Sequence, residues 1–171
     1  SNTVLTEANL TSASLWHANL IGTHLNGANL ISANLYGANL TSSSLQGANL
    51  ISANLYDTNL TSANFWSANL TGTHLDGANL TSANLRKADL SDALIQKSTT
   101  LDENTILPDG SNWSEGRDLG EFGAETREIV NTDWDEQQRI DTYTFADGTK
   151  RRWKRGKGWL DDRDGNPLDE K

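Results

Sequence analysis

The chain contains no cysteine, which rules out disulfides and cysteine-based metal sites and leaves its redox compartment open. Nowhere does it hold the run of about 18 apolar residues that a membrane-spanning helix needs. No secretory signal peptide is visible either. The expectation is a soluble protein of the cytoplasm; the alternative is a signal peptide already removed, since the chain starts with Ser1 and not Met. Also missing are a cofactor-binding loop, a cluster of metal ligands, and any serine with a local histidine and acid to activate it. These gaps argue against an enzyme, a cofactor and a metal centre. Charge is scarce in the first part: residues 1–98 hold five acids (Glu7, Asp57, Asp76, Asp89, Asp92) and three bases (Arg86, Lys87, Lys97), net −2. The remaining eighteen acids and eleven bases give residues 99–171 a net −7, and the whole chain −9.

What the chain has is a period. Leucine occupies every fifth position from Leu5 to Leu90, replaced once by Phe65 and followed by Ile95, nineteen apolar centres in one register. Two positions before each centre stands a small residue, mostly Ala (Ala8, Ala13, Ala18, Ala28), otherwise Thr or Ser. One position before stands Asn in twelve repeats. On an α-helix a fifth residue lies about 140° past its start, which would smear the leucines around the surface. On a flat strand an odd spacing would send successive leucines to opposite faces. Only a chain that bends the same way by a quarter turn every five residues keeps them all inside. The centres, among them Leu5, Leu10, Leu25, Leu50, Phe65 and Leu90, then form an axial column, each contributing roughly 1.5–3 kcal/mol when buried.

The A-N-L-x-x repeat over residues 3–97 resembles the bacterial, cyanobacterial-type pentapeptide-repeat family. The resemblance implies an all-β fold, a right-handed quadrilateral β-helix in which the centre and the small residue before it point inward. At four repeats per coil the nineteen repeats make just under five coils, a shaft on the order of 23 Å long at ~4.8 Å per coil. Segments 28–37 and 48–57 (ANLISANLYG, ANLISANLYD) suggest growth by duplication of two-repeat units. Such a fold serves unrelated ends, so it does not name a function. Asn before the centre suits local turn bonding and stacked side-chain ladders, and Ser, Thr and Gly at the second position after it suit corners.

Against this plain background one stripe stands out. Trp16, Tyr36 and Tyr56 each follow a centre and lie twenty residues, one coil, apart. They are expected to stack on one face, with Ile31 and Ile51 as an apolar pair on the adjacent face. Aligned exposed aromatics mark contact surfaces, though rings stacked across strands also stabilise a sheet by themselves. His24 and His74 are two and a half coils apart and face opposite sides, so they cannot share a metal. His17 stands beside Trp16 without an evident ligand partner.

After Lys97 the register stops. Residues 98–123, with Leu107-Pro108-Asp109-Gly110, Trp113 and Phe122, are similar to tails that follow other bacterial shafts of this family, and are expected to cap the open end of the coil. Residues 124–171 form a third segment, with a short helix expected near Ala124–Val130. A strand is expected at Ile140–Phe145, a turn at Asp147-Gly148, and a return strand at Lys150–Arg155. Further turns are expected at Gly156–Gly158 and Asp164–Pro167. With fewer than fifty residues this segment is expected to dock on the shaft, using Trp134, Tyr143, Phe145, Trp153 and Trp159. Lys150, Arg151, Arg152, Lys154 and Arg155 around Trp153 form a basic-aromatic patch compatible with nucleic acid. A hairpin strand paired with Asp141, Asp161 and Asp162 accounts for it better in so acidic a tail. Asp161, Asp162, Asp164 and Gly165 resemble part of a calcium loop, but counting back from Gly165 puts Leu160 at the first ligand position, so the pattern fails.

The functional expectation is a non-catalytic structural or interaction protein, a rigid shaft presenting a binding surface to an unidentified protein partner. The alternative is a DNA mimic acting on a type II topoisomerase, as the family resemblance allows; the weak charge of the shaft argues against it. The first coil starts at residue 3 with nothing before it, so end-to-end self-association or a covering upstream segment is expected.

Overall fold

In the computed structural model, residues 3–138, 140–154, 157–161 and 164–168 are described. The shaft is the expected right-handed quadrilateral β-helix. Single-residue parallel bridges link each coil to the next at a spacing of twenty residues, as in Asn29↔Asn49 and Asn49↔Asn69. One repeat shows why the chain bends. Leu50 N–H donates to the Asn69 carbonyl at 2.8 Å, and Asn49 N–H to the Ala28 carbonyl at 2.9 Å, so both neighbouring coils are engaged. The Leu50 carbonyl then accepts from Ala53 N–H at 2.9 Å, closing a β-turn whose third residue, Ser52, has φ +55°. A left-handed third residue is what a type II turn requires, and every corner from Glu7 to Asp92 adopts it. Asn49 secures the turn by accepting from Ile51 N–H through its side-chain oxygen at 3.2 Å. The same bond recurs at Asn9, Asn39, Asn59 and Asn79. Asparagine is thus a local clamp first; between coils, Asn54 donates to Asn34 at 3.3 Å and Asn26 accepts from the Ser44 hydroxyl.

The column is dry. Leu25, Leu50 and Phe65 are wholly buried and Leu90 nearly so, whereas Leu5 and Leu10, in the first coil, are half-buried and pack against the core. Where Thr replaces the inward Ala, its hydroxyl finds a backbone acceptor: Thr58 donates to the Leu35 carbonyl at 3.0 Å and Thr105 to that of Leu80 at 3.0 Å. This is how a polar atom survives in an apolar axis.

Pairing does not end with the regular repeat. Asn79 bridges Thr100, Asn84 bridges Ile106 and Leu94 bridges Glu125, so residues 98–125 run on as an irregular turn over the last regular coil. Leu107, Leu119 and Ala124 join the axial core, with Leu101, Trp113 and Phe122 packed against it. The expected helix near Ala124–Val130 is absent. A 3₁₀ turn occupies Leu119–Phe122, and the chain at Glu125 is instead drawn into the coil ladder, which competes for the same backbone groups.

Beyond it stands a four-stranded antiparallel sheet in sequence order: β1 (Ile129–Asp135), β2 (Ile140–Phe145), β3 (Lys150–Lys154) and β4 (Gly158–Trp159). Tyr143, Phe145, Trp153 and Trp159 pack with Leu94 of the shaft as a second core, and Ile129 lies against it. The sheet is tied down by Trp159 Nε1–H donating to the Asp92 carbonyl at 2.9 Å and Gln96 Nε2 donating to that of Arg127 at 3.0 Å.

Candidate functional site

The aromatic stripe is present but is built differently from a plain stack. Tyr36 and Tyr56 are parallel, 5.6 Å apart and 5° from coplanar orientation. Trp16 meets the ring of His17 at 5.3 Å, and His17 meets Tyr36 edge-on at 5.3 Å. A histidine therefore sits between the first two members. It lies at a left-handed corner, and its ring passes over Gly37, where a Cβ would come within 2.5 Å of it. Only glycine leaves that space. Trp16 stays 62% exposed and Tyr36 37%. Ile31 and Ile51, on the neighbouring corner, are half-buried and do not enter this run of rings.

At its other end the stripe continues into the tail. Tyr56 meets His74 edge-on at 5.3 Å. His74 in turn contacts Tyr143 at 5.8 Å and Trp153 at 5.6 Å, and Tyr143 contacts Trp159 at 5.5 Å. Between shaft face and sheet this leaves a cleft of about 670 Å³. Its ring-bearing walls come from Tyr36, Tyr56, His74, Tyr143 and Trp153; Asp76, Glu128 and Asp141 supply carboxylates and Lys97 an ammonium. A hollow of about 320 Å³ adjoins it, sharing Tyr36 and Asn54 and reaching Trp16. The two together make a groove along the stripe. A concavity outside the packed axis is therefore present. Among the described residues no group of three or more His, Asp or Glu is arranged to hold a metal ion.

The electrostatics of the cleft follow from burial. His74 is 7% exposed and burial pulls its pKa down to about 4, against a weaker upward pull from Asp76; it is neutral at pH 7. Burial raises the Tyr143 phenol, and Asp141 and Asp76 raise it further. The Tyr56 phenol is raised by burial and then by Asp57 and Asp76. Both phenols keep their protons. Burial also pushes the Asp141 carboxyl up. Two polar atoms here, His74 Nε2 and Trp153 Nε1, are buried without a hydrogen-bond partner, a state that costs about 1–3 kcal/mol each.

The basic-aromatic patch is not one surface. Strand alternation turns Arg151 and Trp153 inward, 1% and 3% exposed. Arg151 is held by Glu125 at 3.0 Å and by the Asp161 carbonyl at 3.0 Å, and lies 4.2 Å above the Trp159 ring. Burial lowers Arg151, with Asp92 and Glu125 opposing. Burial pulls the Glu125 carboxyl upward, but hydrogen bonds from Arg127 and the charges of Arg127 and Arg151 outweigh it and hold it low. Arg152 pairs with Asp161 at 2.6 Å, and that bond raises its pKa. Lys150 is left exposed and Lys154 half-buried on the outer face; Arg155 and Asp162 lie outside the described residues. Asp161, one of the calcium-loop acids, is buried as the partner of Arg152.

Of the cleft residues beyond the aromatic stripe, Asp76 and Gln96 carry a signal in the sequence. They continue the twenty-residue stripe of Trp16, Tyr36 and Tyr56. Glu128, Asp141 and Tyr143 carried none, because the tail does not repeat.

A sequence profile described as pentapeptide repeats matches in eight copies over residues 1–27, 8–47, 28–66 and 58–96, more than half of the 171 residues. Among solved structures the chain is similar to HetL from the cyanobacterium Nostoc sp. strain PCC 7120, a pentapeptide repeat protein involved in heterocyst differentiation regulation. The identity is 33% and the TM-score 0.50, over 66% of this chain and 65% of that one. It is also similar to the pentapeptide repeat protein Rfr23 from the cyanobacterium Cyanothece 51142, at 35% identity and TM-score 0.54, over 56% of this chain and 64% of that one. The chain thus spans less than two thirds of the length of either relative. No curated protein matches it.

Proposed function

Because the chain belongs to the pentapeptide-repeat family, whose members share a fold and not a reaction, we propose that it is a non-catalytic interaction protein. Its recognition surface is the groove from Trp16 to Trp153. The observation that carries this reading is the run of rings that passes from the shaft face into the tail and lines about 670 Å³ of open space. A packed rod needs no such groove, and ring-lined concavities with a few polar groups are favoured binding sites. Trp and Tyr supply contact area with few rotatable bonds, which makes them effective anchors. The DNA-mimic reading gains nothing from the groove, and it needs acid density along the coil faces that residues 1–98, net −2, lack.

Cross-linked capture from a source extract tests the reading. The intact chain should retain a partner that Trp16→Ala with Tyr36→Ala loses, while Gln46→Ala, on the opposite corner of the coil, keeps it. Equal capture by the stripe variant and the intact chain would remove the groove as the recognition surface.

A further inference from the structure

Resting on the groove reading above, we infer that the acid-lined end of the cleft receives an arginine or lysine side chain carried on an extended segment of a partner protein. Three carboxylates, Asp76, Glu128 and Asp141, border the cleft against one ammonium, Lys97. Among the described residues the buried acids of the tail are matched closely, Glu125 by Arg127 and Arg151 and Asp161 by Arg152. Asp141 and Glu128 have no such side-chain partner among the described residues. Asp141 is half-buried in mid-sheet, opposite Trp153 in the β2–β3 register. A half-buried carboxylate without a cation is costly, and a basic side chain would give Asp141 the match that the buried acids Glu125 and Asp161 have.

The cleft floor points to the same chemistry from a second direction. The Trp153 indole N–H and the His74 Nε2 are both buried and both unpartnered, and both rings line the cleft. An indole N–H can only donate, so its complement is a carbonyl, while a neutral imidazole nitrogen can accept from a cationic donor. A peptide bearing a basic residue offers carbonyls and charged donors together. A phosphate backbone would meet three carboxylates. A lone cation would bring no acceptor for the indole. The adjoining hollow beside Trp16 gives the rest of an extended segment a place to lie.

The test uses the full chain and a short Gly-Ser peptide with a central arginine, its citrulline counterpart, and tetramethylammonium. Binding is read by NMR from the Trp153 indole N–H cross-peak. The arginine peptide should bind saturably and shift that peak, and citrulline should not. Asp141→Asn should weaken binding by about tenfold or more. It should not unfold the sheet, because it relieves an unpaired charge. Glu103→Gln, with the same change of charge at an exposed position away from the cleft, should leave affinity nearly unchanged. The inference is overturned if the arginine peptide fails to bind, if citrulline binds equally, if Glu103→Gln weakens binding as much as Asp141→Asn, or if tetramethylammonium binds as tightly as the peptide. If the captured partner is lost with the Trp16/Tyr36 variant yet kept with Asp141→Asn, the groove reading stands and the basic segment falls. If both variants keep it, the groove reading falls as well.

Discussion

His74 is the position where one side chain sets a property of the protein that can be titrated. Its sequence neighbours make it look like another surface residue of the Asn position, but Tyr56, Tyr143 and Trp153 close over it. The native imidazole titrates near 4 and an ordinary one near 6.5. Between those values the unfolded chain takes up a proton that the native chain refuses. Stability is therefore full above about pH 6.5 and declines as pH falls toward 4, by about 3 kcal/mol if the whole difference is expressed. Urea unfolding at pH 7 and pH 4.5 should show this loss in the native chain and much less of it in His74→Phe. Phenylalanine keeps a ring in the stack and removes the unpartnered nitrogen. An equal loss in both proteins would mean that His74 is not sealed in.

Between the shaft and the sheet, the joint is ionic as much as apolar. Glu125 pairs backbone with Leu94 at the end of the coil ladder, while its carboxylate reaches Arg127 at 2.7 Å and Arg151 of β3 at 3.0 Å. Arg151 serves four contacts at once: Glu125, the Asp161 carbonyl, Asp92 at 3.8 Å and the face of Trp159. Removing Arg151 leaves Glu125 to Arg127 alone and the Asp161 carbonyl without its side-chain donor, a loss of about 1–3 kcal/mol. Arg151→Met should cost that much, with tryptophan fluorescence moving at lower urea than the far-UV signal of the shaft. Arg151→Lys should not rescue it, because an ammonium has neither the planar fork nor the stacking face. Coincident transitions at the native midpoint would show that the sheet is held by its apolar core alone.

Across the whole molecule, stability passes from coil to coil. Each centre touches only its own layer and its neighbours, so a lesion at a wholly buried centre unseats coils on both sides, whereas a half-buried centre has less packing to lose. Leu50→Asp places a charge in a dry column and should unfold the shaft, read as loss of the β signal in circular dichroism. Leu10→Asp, at a half-buried centre of the first coil, should leave most of that signal. A folded Leu50→Asp protein would defeat the inward assignment of the centres, and equal damage from both would defeat the coil-by-coil account.

The β-helix was legible in the residues because every contact that makes it is local and repeated. Leu, a small residue and Asn recur at fixed offsets, and within the repeat the next coil is twenty residues away, so one geometric solution serves from coil to coil. The Asp147-Gly148 hairpin was legible for the same reason, a short-range pattern around a turn. The helix expected near Ala124 failed because Glu125 is claimed by Leu94, thirty-one residues back, a pairing with no repeat to announce it. His17 between Trp16 and Tyr36, Arg151 and Trp153 turned inward, and the cleft itself share that origin. Each depends on how one unrepeated sheet settles against one face of the shaft. Period and turn chemistry act over a few residues and can be read along the chain. Which side chains are sealed, paired or left facing open space is set by packing between distant segments, and it appears only once they have met.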